Sequence, residues 1–260
     1  MHFSFASSVV NRFDYVPETG STNTDLVAAA AAGASEWPDL SVLCASSQTA
    51  GRGRAGREWQ SNANASLAVS VLVRPHEVSL QHFGWLPILA GLAMTQTVAA
   101  FLPESRVELK WPNDVLVNDK KISGVLSELL ADGKGVVIGA GLNLAQQQHE
   151  LPIAASTSLA LEGATVTFEE ALEQYLRNFV SLYREFVAHR GNADACGLRR
   201  SAQAKCGSLG RRVRAIMPGE QEVEGTGVAI DESGRLVISV DSQEQLYVVA
   251  AGDIVHLRHN

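Results

Sequence analysis

The stretch GWLPILAGLAMTQTVAAFL, residues 84–102, constrains the fold more than any other part of the sequence. Its length approaches a membrane span, but Pro87, Gly91, Thr95, Gln96 and Thr97 interrupt it and basic flanks are missing. Apolar residues on every side of a helix need cover on every side, so the reading is a helix buried in a layered core. No membrane segment is expected. The N-terminal MHFSFASSVVNRFDYVPETG lacks a charged start and a long apolar core, so no signal peptide is expected either.

The layers that could cover such a helix are present on both sides of it. SVLCAS (41–46) and ASLAVSVLV (65–73) read as strands, as do KISGVLSELL (121–130) and GVVIGAGLNL (135–144), the last two joined by an Asp-Gly-Lys-Gly turn. VELKWPNDVLVND has strand character at both ends and a Pro112-Asn113-Asp114 turn in the middle. STNTDLVAAAAAGA reads as a helix opened by a Thr22-x-x-Asp25 capping box and stopped at Gly33. A second, amphipathic helix spans 167–190, opened by Thr167-x-x-Glu170, with Leu172, Tyr175, Leu176, Phe179, Leu182, Tyr183 and Phe186 on one face.

The character changes near residue 207, where GRRVRAIM, EVEGTGVAID, RLVISV and LYVVAAGDIVHL read as short strands of a small all-β barrel. Two domains are therefore expected, 1–206 and 207–260. Helices and strands mix in the first without a regular βαβ alternation, which makes the fold class α+β.

The net charge is −7, so the chain as a whole has no reason to seek nucleic acid, and any anion site must be local. Cys44, Cys196 and Cys206 form no Cys-x-x-Cys pair and have no His clustered near them. A disulfide framework and a zinc site are not expected, and a reducing, cytoplasmic compartment is.

Against that acidic average, Gly51-Arg52-Gly53-Arg54-Ala55-Gly56-Arg57 places three arginines and three glycines in seven residues. Glycines let backbone N–H groups approach a ligand, and guanidinium forks suit carboxylate and phosphate. The literal G-x-G-x-x-G spelling is not a dinucleotide site: no helix follows, and the chain runs through Asn62 and Asn64 into a strand. No Walker-type phosphate loop is present. Taken alone, the loop could equally be a solvated basic segment that contacts nucleic acid, although few aromatic residues interleave for base stacking. Lys110-Trp111-Pro112-Asn113-Asp114 could hold a cation at a pocket mouth or be a turn with a packed Trp. Lys121-Ile122-Ser123-Gly124 and Gly139-Ala140-Gly141-Leu142-Asn143 could each be a turn or a close strand crossing.

Taken in order, Ser21-Thr22-Asn23, Gln48 with GRGRAGR, KWPND, KISG and GAGLN resemble the biotin–protein ligase family, from about residue 18 to 258. The resemblance implies a mixed β-sheet backed by helices, similar to class II aminoacyl-tRNA synthetases, and a small SH3-like barrel. It implies ATP with Mg2+ and biotin as substrates. The implied partner is the biotin carboxyl carrier domain of an acetyl-CoA, acyl-CoA or pyruvate carboxylase.

It further implies that Ser21, Thr22, Asn23 and Gln48 bind biotin, together with Gly51, Arg52, Gly53, Arg54, Lys110, Gly124, Gly139 and Gly141. Arg57, Trp59, Asn113, Asp114, Lys121 and Asn143 would serve the nucleotide side, and Lys110, Arg54 and Arg57 the chemistry. Asp114 is a candidate acceptor for the carrier lysine's proton. No metal site built from protein ligands is expected. The arginine loop, rich in glycine and mutually repelling charge, is expected to be mobile until a ligand orders it.

Only about twenty residues precede Ser21, too few for the DNA-binding domain of regulatory relatives, so no DNA binding is expected. A monomer or weak homodimer is expected. The competing readings are a lipoate–protein ligase, a non-catalytic biotin sensor and a nucleic-acid-binding module.

Overall fold

The computed structural model describes residues 3–33, 35–59, 65–219, 221–240 and 245–257; the run through Asn62 and Asn64 lies outside them. The chain opens with helix α1 (Ser4–Val9), strand β1 (Arg12–Thr19), helix α2 (Thr22–Ala32) and strands β2 (Ser41–Gln48) and β3 (Ser66–Val73). Helix α3 (Trp85–Phe101) leads into β4 (Val107–Lys110), β5 (Asp114–Val117), β6 (Lys120–Leu129) and β7 (Val136–Asn143). Helices α4 (Phe168–Ala188) and α5 (Leu198–Lys205) follow. The last strands are β8 (Arg212–Ile216), β9 (Glu222–Ile230), β10 (Leu236–Val240), β11 (Gln245–Val249) and β12 (Asp253–His256).

The first seven strands form one mixed sheet in the order β1-β2-β3-β7-β6-β5-β4. β1 and β2 are parallel, joined through α2, and the neighbours that follow are antiparallel. Side-chain alternation sorts the two faces. Val42, Cys44, Val69, Val71, Ile138 and Ala140 point into the large core with α3 and α4. Leu43, Leu72 and Val137, one residue out of phase, pack with Leu26 and Ala30 of α2.

The apolar run 84–102 is α3, buried along almost its whole length between sheet and α4. Its Thr95 and Thr97 hydroxyls donate to the carbonyls of Gly91 and Ala93, which makes them tolerable inside. α4 opens with the expected capping box, Thr167 and Glu170 each accepting the other's backbone N–H.

Three elements carried too weak a sequence signal to be anticipated: α1, α5 and β1. β1 contains Pro17, which an edge strand accommodates because one side needs no partner. The capping box expected at Thr22 does not form. Ser21, one residue earlier, caps α2 by accepting from the Thr24 N–H, and Asp25 accepts from the Thr19 hydroxyl instead.

The C-terminal strands form a second, antiparallel sheet in the order β11-β10-β9-β8-β12. LYVVAAGDIVHL, read as a single unit, is two strands that lie at opposite edges of it. Four residue steps from Val249 to Asp253 reach about 14 Å at most, whereas the edges of a flat five-stranded sheet lie about 19 Å apart. The sheet is therefore strongly curled, although β11 and β12 are not hydrogen-bonded to each other among the described residues.

The two sheets share one core cluster, in which Ile230, Leu236 and Ile238 join residues of α3. Two indoles pin the β9–β10 turn: Trp85 Nε1 donates to the Glu232 carbonyl at 2.8 Å and Trp111 Nε1 to that of Gly234 at 2.9 Å. The second bond ties the second sheet to the residue next to Lys110 in the chain. Trp111→Phe should keep the packing and leave a buried carbonyl unpaired, costing about 1–3 kcal/mol. Urea titration should show this loss in one shared transition; separate unfolding of the two sheets would contradict a common core.

Candidate active site

On β7, the face that carries Val137 continues as Gly139, Gly141 and Asn143, past the apolar cluster under α2. A Cβ on Gly139 would overlap Asn23, and one on Gly141 would overlap the Trp59 ring. Bare backbone on this face leaves a cleft of about 1400 Å3. Arg52–Trp59, the segment 146–156 and the end of β12 wall it.

Of the residues singled out in the sequence, Ser21, Thr22, Asn23, Gln48, Arg52, Gly53, Arg54, Arg57, Trp59, Lys110, Asn113, Asp114, Lys121, Gly124, Gly139, Gly141 and Asn143 all line this cleft. Gly51 does not. It is buried beneath the loop, where a side chain would strike the Trp59 carbonyl and the Gln48 amide, so it closes a turn instead of facing a ligand.

At one end, the Gln48 side-chain carbonyl accepts from the Thr22 N–H and hydroxyl at 2.9 and 3.1 Å. Ser70 donates to Thr22 or to the Asn23 carbonyl oxygen, at 2.8 and 2.7 Å. Asn23 in turn donates to Glu128 at 2.9 Å. These bonds fix which atoms remain for a ligand. Ser70 and Glu128 carried no sequence signal, because a serine and a glutamate on strands are ordinary residues.

The arginine loop is folded back on itself. Gly53 N–H donates to the Arg57 carbonyl and Trp59 N–H to that of Gly51, making a short hairpin. Its charges find acceptors within the protein. Arg52 pairs with Glu128 at 3.0 Å, and Arg57 with Asp253 at 3.0 Å. Arg54 donates to the Asn113 side chain at 2.8 Å and to the Gly252 carbonyl at 2.9 Å. Gly252 has φ of 154°, and a Cβ there would meet the Ile216 carbonyl, so only glycine turns its own carbonyl toward Arg54.

Lys110 ends β4, paired in register with Asp114 across the Trp111-Pro112-Asn113 turn. Asp114 itself is held by Lys121 at 2.7 Å. Lys110 makes no ion pair within 4 Å among the described residues. Burial, first of all, holds its ammonium below the usual lysine range; Asp114 and Asp253 oppose this, while Lys121 and Arg57 add to it. A desolvated cation without a close counter-ion is a site prepared for an anion.

The second sheet contributes His256, which sequence reading did not single out. Its Nε2 hydrogen-bonds the Ser208 hydroxyl at 2.9 Å, and burial, then Lys110 and Arg211, push its pKa down to about 4. The imidazole is thus neutral at neutral pH. Its folded pKa lies below the unfolded value, so protonation favours unfolding. The stability it contributes is complete above about pH 6.5 and is lost as pH falls toward 4. His256→Gln should flatten this part of the acid limb in denaturation curves between pH 7 and 4.5. An unchanged acid limb would place the imidazole outside the buried cluster.

Asp114, Asp119 and Glu128 are each engaged by a basic side chain. Among the described residues, no three of His, Cys, Asp and Glu converge as metal ligands.

The sequence matches the Biotin/lipoate A/B protein ligase family over residues 15–143 and the biotin protein ligase C terminal domain over 208–257. It is 41% identical to the biotin–[acetyl-CoA-carboxylase] ligase of Mycobacterium tuberculosis over 255 residues, covering 97% of this chain and 92% of the relative. The chain belongs to the biotin protein ligase family. The ligase of Paracoccus denitrificans is 30% identical, over 89% of this chain and 96% of its own length. Among solved structures, the biotin protein ligase of Aquifex aeolicus in complex with biotin and ATP aligns with a TM-score of 0.76. It is 28% identical, over 96% of this chain and 100% of that one.

Proposed function

We propose that this biotin–protein ligase joins biotin and Mg-ATP into biotinyl-5′-adenylate and then transfers biotin to a lysine of a carboxylase's biotin carboxyl carrier domain. The observation that carries the reading is Lys110, a half-buried ammonium without a close counter-ion among the described residues, at the point where the arginine loop meets the second sheet. The reaction brings a carboxylate against a phosphate, two anions that repel. Positive charge focused at their junction, in a cleft that excludes water, lowers that barrier.

In this assignment Ser21, Thr22, Asn23 and Gln48 hold the ureido end of biotin, with Gly139 and Gly141 leaving room for it. Arg52, Gly53, Arg54 and Gly124 enclose the rest. Lys110 lies between the carboxylate and the α-phosphate. Arg54 and Arg57 leave their acceptors on the second sheet for the anionic ligand, which couples loop rearrangement to binding. Trp59, Asn113, Asp114, Lys121 and Asn143 serve the nucleotide side, and Mg2+ arrives with the triphosphate. Asp114 is the candidate acceptor for the carrier lysine's proton; an incoming ammonium would replace Lys121 beside it.

The division at residues 206 and 207 makes the second sheet a roof contributing Asp253 and His256. The net charge of −7 supports a ligase without a repressor role, and three free cysteines fit a reducing cytoplasm.

Biotin-dependent exchange of labelled pyrophosphate into ATP tests the first half-reaction. Exchange should occur with biotin and not lipoate, and Lys110→Ala should lower it by about 10²–10³-fold. Tight biotin binding without exchange would point to a sensor. Anion binding should also draw the lowered pKa of Lys110 back up, so nucleotide binding takes up protons at alkaline pH. Affinity should then fall as pH rises through the pKa of the empty site. Calorimetry in buffers of different ionisation enthalpy should show this uptake, and Lys110→Met should abolish it.

A further inference from the structure

One wall of the cleft has polar atoms that the protein leaves unpaired. Gln146, 3% exposed, lines the cleft just beyond β7, and its Oε1 is buried with no donor. Which amide atom is left over follows from its neighbours. The Thr157 carbonyl can only accept, so the Asn143 group 2.9 Å from it is the Nδ2 amide. The Asn143 Oδ1 must then face Gln146, whose Nε2 donates to it at 3.3 Å. Oε1 is the atom that remains. The backbone under it is fixed as well, because the Ser158 hydroxyl donates to the Gln146 carbonyl at 2.8 Å. Close by, at Gly141, the Trp59 indole N–H is likewise buried without a partner.

Position along β7 says which end of the ligand meets this wall. Gly139 faces Asn23, Gly141 faces Trp59, and Asn143 precedes Gln146 by one turn of chain. Four residue steps along the strand take Gly139 to Asn143, about 13 Å at the usual rise. Gln146 therefore lies far from Thr22, Asn23 and Gln48. Leu151, Pro152 and Ile153 give the same end apolar surface. A flat heteroaromatic ring with an amino group at its edge satisfies such a wall. A ring presenting a carbonyl there would set two acceptors against each other.

We propose that Gln146 selects the nucleotide base, its Oε1 accepting a hydrogen bond from the exocyclic amino group of adenine. This rests on the ligase reading and adds a specificity residue to it. Adenine offers an amino donor where a 6-oxopurine offers an acceptor, a difference that a buried amide can read. Sites that hydrogen-bond a substrate N–H reject analogues lacking it far more strongly than apolar pockets do, because the buried partner is left unpaired.

The experiment compares ATP with inosine triphosphate in biotin-dependent pyrophosphate exchange, for the unaltered enzyme and for Gln146→Leu. The unaltered enzyme should favour ATP in kcat/KM. Gln146→Leu should lower that preference by about tenfold or more, with the KM for biotin unchanged. The unchanged biotin KM reports that the variant is folded. Two results would overturn the proposal: the same ATP-to-inosine ratio in both proteins, or a raised biotin KM with the ratio intact, which would assign the acceptor to biotin's ureido N–H. Absence of exchange in the unaltered enzyme would sink the ligase reading itself.

Discussion

The architecture depends on the alternation of side chains along β7. Its even-numbered residues, Val136, Ile138, Ala140 and Leu142, are buried in the main core. Its odd-numbered residues run from Val137 under α2 to two glycines and an asparagine that open the cleft. A slip of one residue would put the branched side chains into the cleft and the glycines into the core, so the same register decides stability and ligand space. α3 can be apolar all round because it lies between one face of the sheet and α4. The arginine loop, α2 and the second sheet are distributed around what the other face leaves uncovered.

Charge is organised against the average of the chain. A protein with a net charge of −7 gathers Arg52, Arg54, Arg57, Lys110 and Lys121 around one cleft. Most of these cations meet a carboxylate or carbonyl of the protein itself, and those contacts tie the loop to the fold. Lys110 differs because its desolvation is left without a close counter-ion. The contrast separates two tasks. Surface-exposed pairs such as Arg57–Asp253 can exchange at little cost, since screened ion pairs are worth little.

What could be read from the sequence was whatever chemistry is contiguous. GRGRAGR and KWPND concentrate unusual residues in a few positions, and their order relative to Ser21-Thr22-Asn23 and GAGLN carried the family resemblance. The buried helix and the capping box at Thr167 were equally plain, because burial and capping leave local patterns. Contributions from across the fold were not legible. Ser70, Glu128, Gln146, Asp253 and His256 are common residue types whose roles arise only when the sheets bring them together. Local competition also misled: Ser21 outcompetes Thr22 as the cap of α2, and the reversal at Gly252 splits an apparently continuous strand pattern.

That reversal shows how the small second sheet is built into the wall of the cleft. A chain that must cross from one sheet edge to the other in a few residues needs the backbone freedom of Gly252. The same turn aims the Gly252 carbonyl at Arg54 and places Asp253 against Arg57. On the opposite side, the β9–β10 turn takes the indole N–H of Trp111, the residue next to Lys110 in the chain. Ser208, at the start of the second unit, touches both the Trp111 N–H and His256. The sheet thus grips Lys110 through the backbone beside it and grips the arginine loop through its last turn. Its curl and its glycine reversal thus hold both sets of cations in place at the cleft.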